Sequence, residues 1–350
     1  MIILIIRENT ILINPFYKIK LLIVSLVAIL VTSVWIFYKT LFSTINLNDK
    51  PIFFEIEYGE NFSQTSEKLK MQGIIDGDIL LKIYARISAK GTKIQAGEYM
   101  LDGTTNLFSI INKFVLGDIH LHPFTIIEGW TANQMIENLT ASNLFSGKNE
   151  SPFAINSGFL EANENIEGLF LPETYLFPKA TSINSVLYSA HDALIEVLQE
   201  EWLNRANNLP IKTPYEGLIL ASIIEKETAV PDERSRIASV FIQRLKLKMR
   251  LQTDPTVIYG LGDKYDGDIT RSDLRSDTPY NTYTRNGLPP TPIALAGRDS
   301  IHAAFNPADE KNIYFVATGD KDGRHKFSTN KNDHDLAVKD YLDKTSNKAN

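Results

Sequence analysis

An uncharged run near the N-terminus limits this chain more than any other feature of its sequence. Residues 21–38 read LLIVSLVAILVTSVWIFY, with Lys18 and Lys20 before the run and Lys39 after it. A helix of this length can cross the hydrocarbon core of a bilayer with its backbone groups paired internally. The run therefore predicts a single transmembrane helix over residues 21–39.

The charges around this run predict its orientation. Arg7, Lys18 and Lys20 precede it, whereas Lys39 follows it directly. Because basic residues concentrate on the cytoplasmic side, we expect residues 1–20 to form a cytoplasmic tail and the rest to lie outside the cytoplasmic (inner) membrane, in the periplasm. A cleaved signal peptide is the alternative, but its apolar region should be shorter and end in an A-x-A-like site, which residues 38–46 lack.

The composition excludes several kinds of site. The net charge of −6, without a long basic block, argues against a nucleic-acid partner. The chain has no cysteine, so it can form neither disulfides nor thiolate sites. Its histidines have no metal-ligand spacing, and nucleotide-binding and serine-hydrolase motifs are missing, so we expect no metal and no cofactor. These histidines are His120, His122, His191, His302, His325 and His334.

The rest of the chain reads as an α+β protein in two parts. A polar linker over residues 40–52 precedes a weak repeat with an offset of 70 residues, each copy reading as a strand, a glycine turn and an amphipathic helix. We expect a small α+β module over 53–123 and a larger mixed α+β domain over 124–345. Within the larger domain, residues 261–300 read as long functional loops, and the polar residues past Asp340 predict a disordered tail.

One helix in the larger domain carries an acid in apolar surroundings. Thr213 can cap this helix, Pro214 suits its first turn, and Glu216 can complete a capping box. At helical spacing, Glu225 ends a stripe formed by Leu218, Ala221 and Ser222, while apolar residues cover the other side. Burial would raise the pKa of such a carboxyl, as a general acid requires.

The pattern of this helix leaves a structural alternative open. Glu225 could instead mark the polar end of a core helix and pair with Lys226 or with an arginine of the next helix. Glu227 is not expected to be its close partner, because residues two apart on a helix do not face each other.

A catalytic Glu225 outside the cytoplasm, beside loops rich in Asn, Thr, Tyr and Pro, fits cleavage of a glycosidic bond. Most glycosidases need two carboxylates, and candidates for the second are Asp254, Glu173 and Glu167. Each of these could equally be a turn or cap residue. Alternatively one carboxylate suffices, if it protonates the leaving oxygen and then deprotonates a hydroxyl of the substrate.

Several motifs together resemble those of one family, the endolytic murein transglycosylases, or YceG-like family. The resemblance covers nearly the whole chain from the apolar run to about residue 345. The motifs are IEGLFLPETYLF at 166–177, ASIIEKET at 221–228, IASVFIQRL at 237–245, MRLQTDPTVIYGLG at 249–262, YNTYTRNGLPPTPIA at 280–294 and HKFSTNKNDHD at 325–335.

The resemblance implies a membrane-anchored lyase with Glu225 as its catalytic residue. It implies non-hydrolytic cleavage between N-acetylmuramic acid and N-acetylglucosamine in nascent peptidoglycan strands, leaving 1,6-anhydro ends and terminating elongation. It also implies a LysM-like module at 53–123, and peptidoglycan synthases become possible partners. By their chemistry we expect the substrate contacts to come from Gln252, Thr253, Asp254, Asn281, Tyr283, His325 and Ser328, although each could serve only a turn or a strand.

Two other functions remain open at this point. A non-catalytic peptidoglycan-binding scaffold would use the same module and cleft only to hold glycan. Such a scaffold has no use for a carboxyl with a raised pKa, which favours the enzyme. A conventional hydrolase with a second carboxylate is the third possibility.

Overall fold

The structure is a computed structural model that describes residues 15–45, 47, 50–147 and 165–346. It divides into two compact units, Met1–Leu121 and His122–Asn350. Most of the expected cytoplasmic tail, part of the expected linker and the last four residues lie outside the described residues.

The first unit begins with a long apolar helix, α1 (Pro15–Phe42). Residues Phe16–Phe42 form the candidate membrane span in the described part of the chain, and the apolar window within it is wholly exposed. A helix of 28 residues is about 42 Å long at 1.5 Å per residue, which exceeds the thickness of the hydrocarbon core. The predicted helix over residues 21–39 is therefore present, and it extends beyond both predicted ends.

The rest of this unit is a small α+β fold around an aromatic core. Strands β1 (Ile52–Ile56) and β2 (Gly97–Leu101) pair antiparallel with Phe54 opposite Tyr99. Phe114 packs on both rings, with centroid distances of 5.6 Å to Phe54 and 4.7 Å to Tyr99. The helices that cover the pair are α2 (Phe62–Met71), α3 (Ile79–Ile87) and α4 (Leu107–Leu116).

The second unit is mainly helical, with short strand pairs at its edges. Strand β3 (Leu121–Thr125) pairs with β5 (Thr174–Pro178). Strand β4 (Phe145–Ser146) pairs with β6 (Thr181–Ser182). Strands β7 (Tyr314–Ala317) and β8 (His325–Ser328) form a hairpin. Its helices are α5 (Ala132–Ala141), α6 (Ile183–Leu203), α7 (Pro214–Glu227), α8 (Arg234–Lys246), α9 (Asp254–Leu261), α10 (Arg298–Phe305) and α11 (Lys331–Ser346).

Helix α7 lies at the centre of this unit. Its residues from Gly217 to Ile224 are all buried, which confirms the expectation of a helix covered on every side. Helix α10 packs closely along it, because Gly217 leaves room for the ring of Phe305. The core of the unit therefore holds the C-terminal end of α7, which carries Glu225 and Glu227, in place.

The weak repeat corresponds to two similar pieces of structure, one in each unit. Helix α2 is capped by Asn61 and α5 by Thr131, and each cap forms a capping box with a glutamine three residues later. These helices start and end 70 residues apart, as the sequence offset predicts.

The expected disorder past Asp340 is wrong for the described residues. Helix α11 continues through Ser346, and Lys344 binds the carboxylate of Asp320 at 3.0 Å. Disorder was predicted because the residues past Asp340 are polar. The helix forms nevertheless, because contacts at its surface hold it in place of an apolar stripe. Only Ala337 among its residues is buried.

Candidate active site

The start of helix α7 sets the register of its acids. The Thr213 hydroxyl accepts the amide N–H of Glu216 at 3.2 Å, and Pro214 occupies the first turn, as the sequence predicts. The second half of the predicted capping box is wrong, because the Glu216 carboxylate accepts the N–H of Lys212 at 2.6 Å instead. The helix ends at Glu227, so Glu225 lies in its last turn.

Glu225 is held by two groups from other parts of the same unit. The N–H of Gly297, which caps α10, donates to Glu225 Oε2 at 3.0 Å. On the other oxygen, Arg234 Nη2 of α8 lies 3.8 Å from Oε1. Both side chains are largely buried, with 7% of the Glu225 side chain and 9% of the Arg234 side chain exposed. The arginine of the next helix therefore does pair with Glu225, as the structural alternative expected.

This ion pair lies in the wall of a polar cleft of about 470 Å³. Its charged lining would suit a polar substrate. The described residues that line it are Glu128, Gly129, Glu225, Lys226, Glu227, Thr228, Ala229 and Arg234.

Arg234 is shared among three carboxylates. Besides Glu225, its guanidinium lies 3.7 Å from Glu128 and 3.3 Å from Asp299. Burial, the negative charge of Glu225 and that of Asp299 raise the pKa of Glu128, while Arg234 lowers it. Arg234 therefore offsets part of the negative charge that these three acids bring to the cleft.

Glu227 lines the same cleft as Glu225. It accepts the hydroxyl of Thr253, whose own N–H donates to Thr282 Oγ1 at 3.1 Å. Burial raises the pKa of Glu227 to about 6, and the charge of Asp254 adds to this, while Thr253, His325 and Arg244 oppose it. Glu227 and Glu225 do not face each other on the helix. Both still line the cleft, because both lie in the last turn of α7.

The perturbed pKa of Glu227 predicts a pH-dependent stability. Because the folded protein binds this proton more tightly than the unfolded chain, Glu227 stabilises the fold below its unfolded pKa and loses this effect as pH rises through about 6. Between pH 4 and 7, denaturant unfolding should show a loss of stability in wild type that exceeds the loss in Glu227→Gln by on the order of 2 kcal/mol. Equal losses in the two proteins would contradict the shift. Glu137→Gln, on the exposed side of α5, is the control and should behave as wild type.

Three of the predicted substrate contacts lie at the start of helix α9. Thr253 is buried and bonded to Glu227, as described above. Asp254 Oδ1 accepts the Tyr283 hydroxyl at 2.5 Å, and burial together with this bond raises the pKa of Tyr283. Gln252 has a φ of 50°, and its N–H donates to the carbonyl of Thr282 at 3.2 Å. The structure thus brings residues 252–254 and Tyr283 together next to Glu227.

Asn281 and Ser328 are buried and serve the backbone around them. The Asn281 side-chain amide donates to the carbonyl of Ser276 at 2.7 Å, and its oxygen accepts the N–H of Tyr283 at 2.8 Å. Ser328 lies in β8 opposite Tyr314, and 4% of it is exposed. These contacts match the turn and strand roles that the sequence left open for both residues.

His325 is oriented by a buried acid. Glu233 Oε2 lies 2.8 Å from His325 Nδ1, and Glu233 Oε1 accepts the His325 N–H at 3.0 Å. The imidazole also packs edge-on against Phe315, with centroids 5.4 Å apart. Sequence reasoning did not single out Glu233.

The expected second carboxylates are not among the described residues that line the cleft. Glu167 is buried and accepts the N–H groups of Ala132 and Gly168 at 3.0 and 3.2 Å. Glu173 accepts Arg298 Nε at 2.5 Å. The carboxylates that share the cleft with Glu225 are instead Glu128 and Glu227. Glu128 lies shortly after β3, the strand of the second repeat copy, and this position was the one signal in the sequence that could have identified it.

An ionisable pair at the wall of a polar cleft, with further acids beside it, has the parts of an acid–base site in an α+β domain. The sequence model of the YceG-like family matches residues 54–340. The chain therefore belongs to the YceG-like family, and the resemblance found in its motifs is confirmed.

Relatives from two species and a solved structure are similar to this chain. A protein of Bacillus subtilis (strain 168) named endolytic murein transglycosylase is 29% identical over 329 residues, covering 87% of each chain. One of the same name from Streptococcus pneumoniae serotype 2 is 26% identical over 83% of this chain, which spans 58% of that protein. A crystal structure of a YceG-like protein from Listeria monocytogenes aligns with 82% of this chain and 99% of its own, at 28% identity and a TM-score of 0.49.

Proposed function

We propose that this protein is an endolytic lytic transglycosylase of peptidoglycan, a lyase that leaves 1,6-anhydro-N-acetylmuramic acid ends in nascent strands. The observation that carries the proposal is Glu225, which lies in a polar cleft between the Gly297 N–H and Arg234. Membership of the YceG-like family and the relatives named endolytic murein transglycosylase support the same activity.

The proposed reaction uses Glu225 twice. As an acid, it gives its proton to the glycosidic oxygen while the bond from that oxygen to C1 of N-acetylmuramic acid breaks. As a carboxylate, it takes the proton of the C6 hydroxyl of the same sugar, whose oxygen bonds to C1. No water is consumed, and the glutamate ends in the protonation state in which it began.

The surroundings of Glu225 suit both steps. Arg234 would stabilise the Glu225 carboxylate that the first transfer leaves. We propose substrate contacts at Gln252, Thr253, Asp254 and Tyr283, because Thr253 bonds to Glu227 of the cleft and Asp254 bonds to Tyr283 beside it. We also propose a contact at His325, whose imidazole Glu233 orients. For Asn281 and Ser328 we propose an indirect role, which their backbone bonds and burial support.

The rest of the chain is proposed to bring this site to its substrate. Helix α1 would anchor the protein in the cytoplasmic membrane with its N-terminus inside, as the length of the apolar span and the flanking lysines support. We propose that residues 53–123 form a LysM-like module and residues 124–345 the catalytic domain. Cleavage close to the membrane would end the growth of nascent strands, with synthases as partners.

Mass spectrometry of digested glycan tests the proposed activity. The full-length protein in detergent is incubated with isolated peptidoglycan strands, and the ends of the fragments are identified. Anhydro ends are expected. Reducing ends would identify a hydrolase, and uncut strands that still bind the protein would identify a scaffold.

A further inference from the structure

Helix α3 of the first unit has two apolar faces. Leu81 and Ala85 are buried in the core of the unit. A second stripe turns outward, with Ile79 70% exposed, Ile83 42% and Ile87 78%. At 100° per residue this stripe is separated from the buried face, so it adds nothing to the packing of the unit. An exposed stripe of three isoleucines calls for an apolar partner.

This stripe is continuous with the apolar surface of helix α1. Leu80, next to Ile79, lines a groove with Ser33, Val34, Ile36 and Phe37 of α1. At 1.5 Å per residue, Ser33 lies about 9 Å and Phe37 about 3 Å before Lys39 along the helix axis. Leu80 and Ile79 also line a second pocket with Lys39. The start of α3 therefore lies beside the end of the uncharged span, between the level of its last turns and that of Lys39.

The end of α1 is fixed to the rest of the unit. Leu41 is buried in its core, Phe37 packs against that core, and Phe42 lies 4.9 Å from Phe108 between ring centroids. The position of α3 along α1 is therefore set by packing. If α1 spans the membrane, α3 has to meet the outer surface of the same bilayer.

The charges on α3 leave its apolar stripe free to enter lipid. Lys82 turns toward the unit and pairs with Asp78 at 2.5 Å and Glu67 at 3.1 Å. Arg86 is exposed at the border of the stripe, where a basic side chain meets lipid headgroups. Helices that lie in the membrane interface bury their apolar face about 5–10 Å deep, which matches the depth range of the groove that Leu80 lines.

We propose that α3 lies flat in the outer interface of the membrane, with Ile79, Ile83 and Ile87 inserted among the lipid chains. The inference rests on the proposed anchoring by α1. It makes the small unit a second attachment to the bilayer, which would limit the tilt of α1 together with the unit packed on it.

Site-directed spin labelling tests this arrangement in the whole protein. The chain has no cysteine, so Ile83→Cys gives a single label on an exposed side chain of the full-length protein in proteoliposomes. We expect its collisions with oxygen, which concentrates in lipid, to exceed those with a water-soluble nickel complex. Tyr58→Cys is the aqueous control, because Tyr58 is fully exposed in the turn after β1. Val27→Cys in the middle of α1 is the lipid control.

The controls separate the two proposals. The label at position 83 could be as accessible to nickel as the label at position 58 while the label at position 27 lies in lipid. This result would overturn the docking of α3 and leave the membrane anchor supported. Aqueous labels at both positions 27 and 83 would overturn both. Circular dichroism of each variant confirms that the fold is intact, and the cleavage assay is independent of all three labels.

Discussion

Replacing Glu225 with glutamine should abolish glycan cleavage and leave the fold intact. Glutamine has the same size and can still accept the N–H of Gly297, but it can neither give nor take the proton. General acid–base catalysis contributes about 10²–10⁴-fold, and Glu225 is proposed to act in both steps, so the loss should be at least this large. The rate at which anhydro ends form from isolated strands measures it.

A matched control separates loss of chemistry from loss of structure. Glu137→Gln makes the same change on the exposed side of α5 and should cleave at the wild-type rate. Both variants should keep the wild-type circular dichroism spectrum. Wild-type cleavage by Glu225→Gln would eliminate the proposed mechanism.

Replacing Gly217 with alanine should destabilise the second unit and slow cleavage as well. A Cβ at this position would overlap the ring of Phe305, which closes the contact between α7 and α10. Overpacking of this kind costs about 1–3 kcal/mol, to be measured by thermal or denaturant unfolding. Because α10 also brings the Gly297 N–H to Glu225, a shift of this helix should misplace the acid, and errors of about 1 Å can cost 10²-fold in rate.

A double substitution isolates this contact. Phe305→Leu removes the atoms that the new Cβ would meet, so Gly217→Ala should cost less in that background than in wild type. Gly103→Ala, where a Cβ would meet only open space, should change neither stability nor activity. Equal costs of Gly217→Ala in the two backgrounds would show that the Phe305 contact is not the cause.

Local signals in the sequence were enough to predict the helix that carries Glu225. The Thr213 cap and the proline after it fixed its start, and its unbroken apolar residues predicted its burial. These features depend on neighbours along the chain.

The contents of the cleft could not be predicted in the same way. Glu128 reaches Arg234 across about a hundred residues of sequence, and the burial of Glu227 depends on Thr253 and its neighbours. The sequence analysis did not identify helix α3, and the significance of its outward stripe depends on its position beside α1. Each of these features depends on contacts between distant segments, which no local pattern encodes.

The bond from Gly297 has a consequence for the orientation of the Glu225 carboxyl group. A backbone N–H can only donate, so Oε2 can accept it whether the acid is neutral or ionised. The other oxygen, Oε1, faces Arg234 of α8. In the proposed reaction, the carboxyl group would therefore have no need to rotate between the proton transfer to the leaving sugar and the transfer from the attacking hydroxyl.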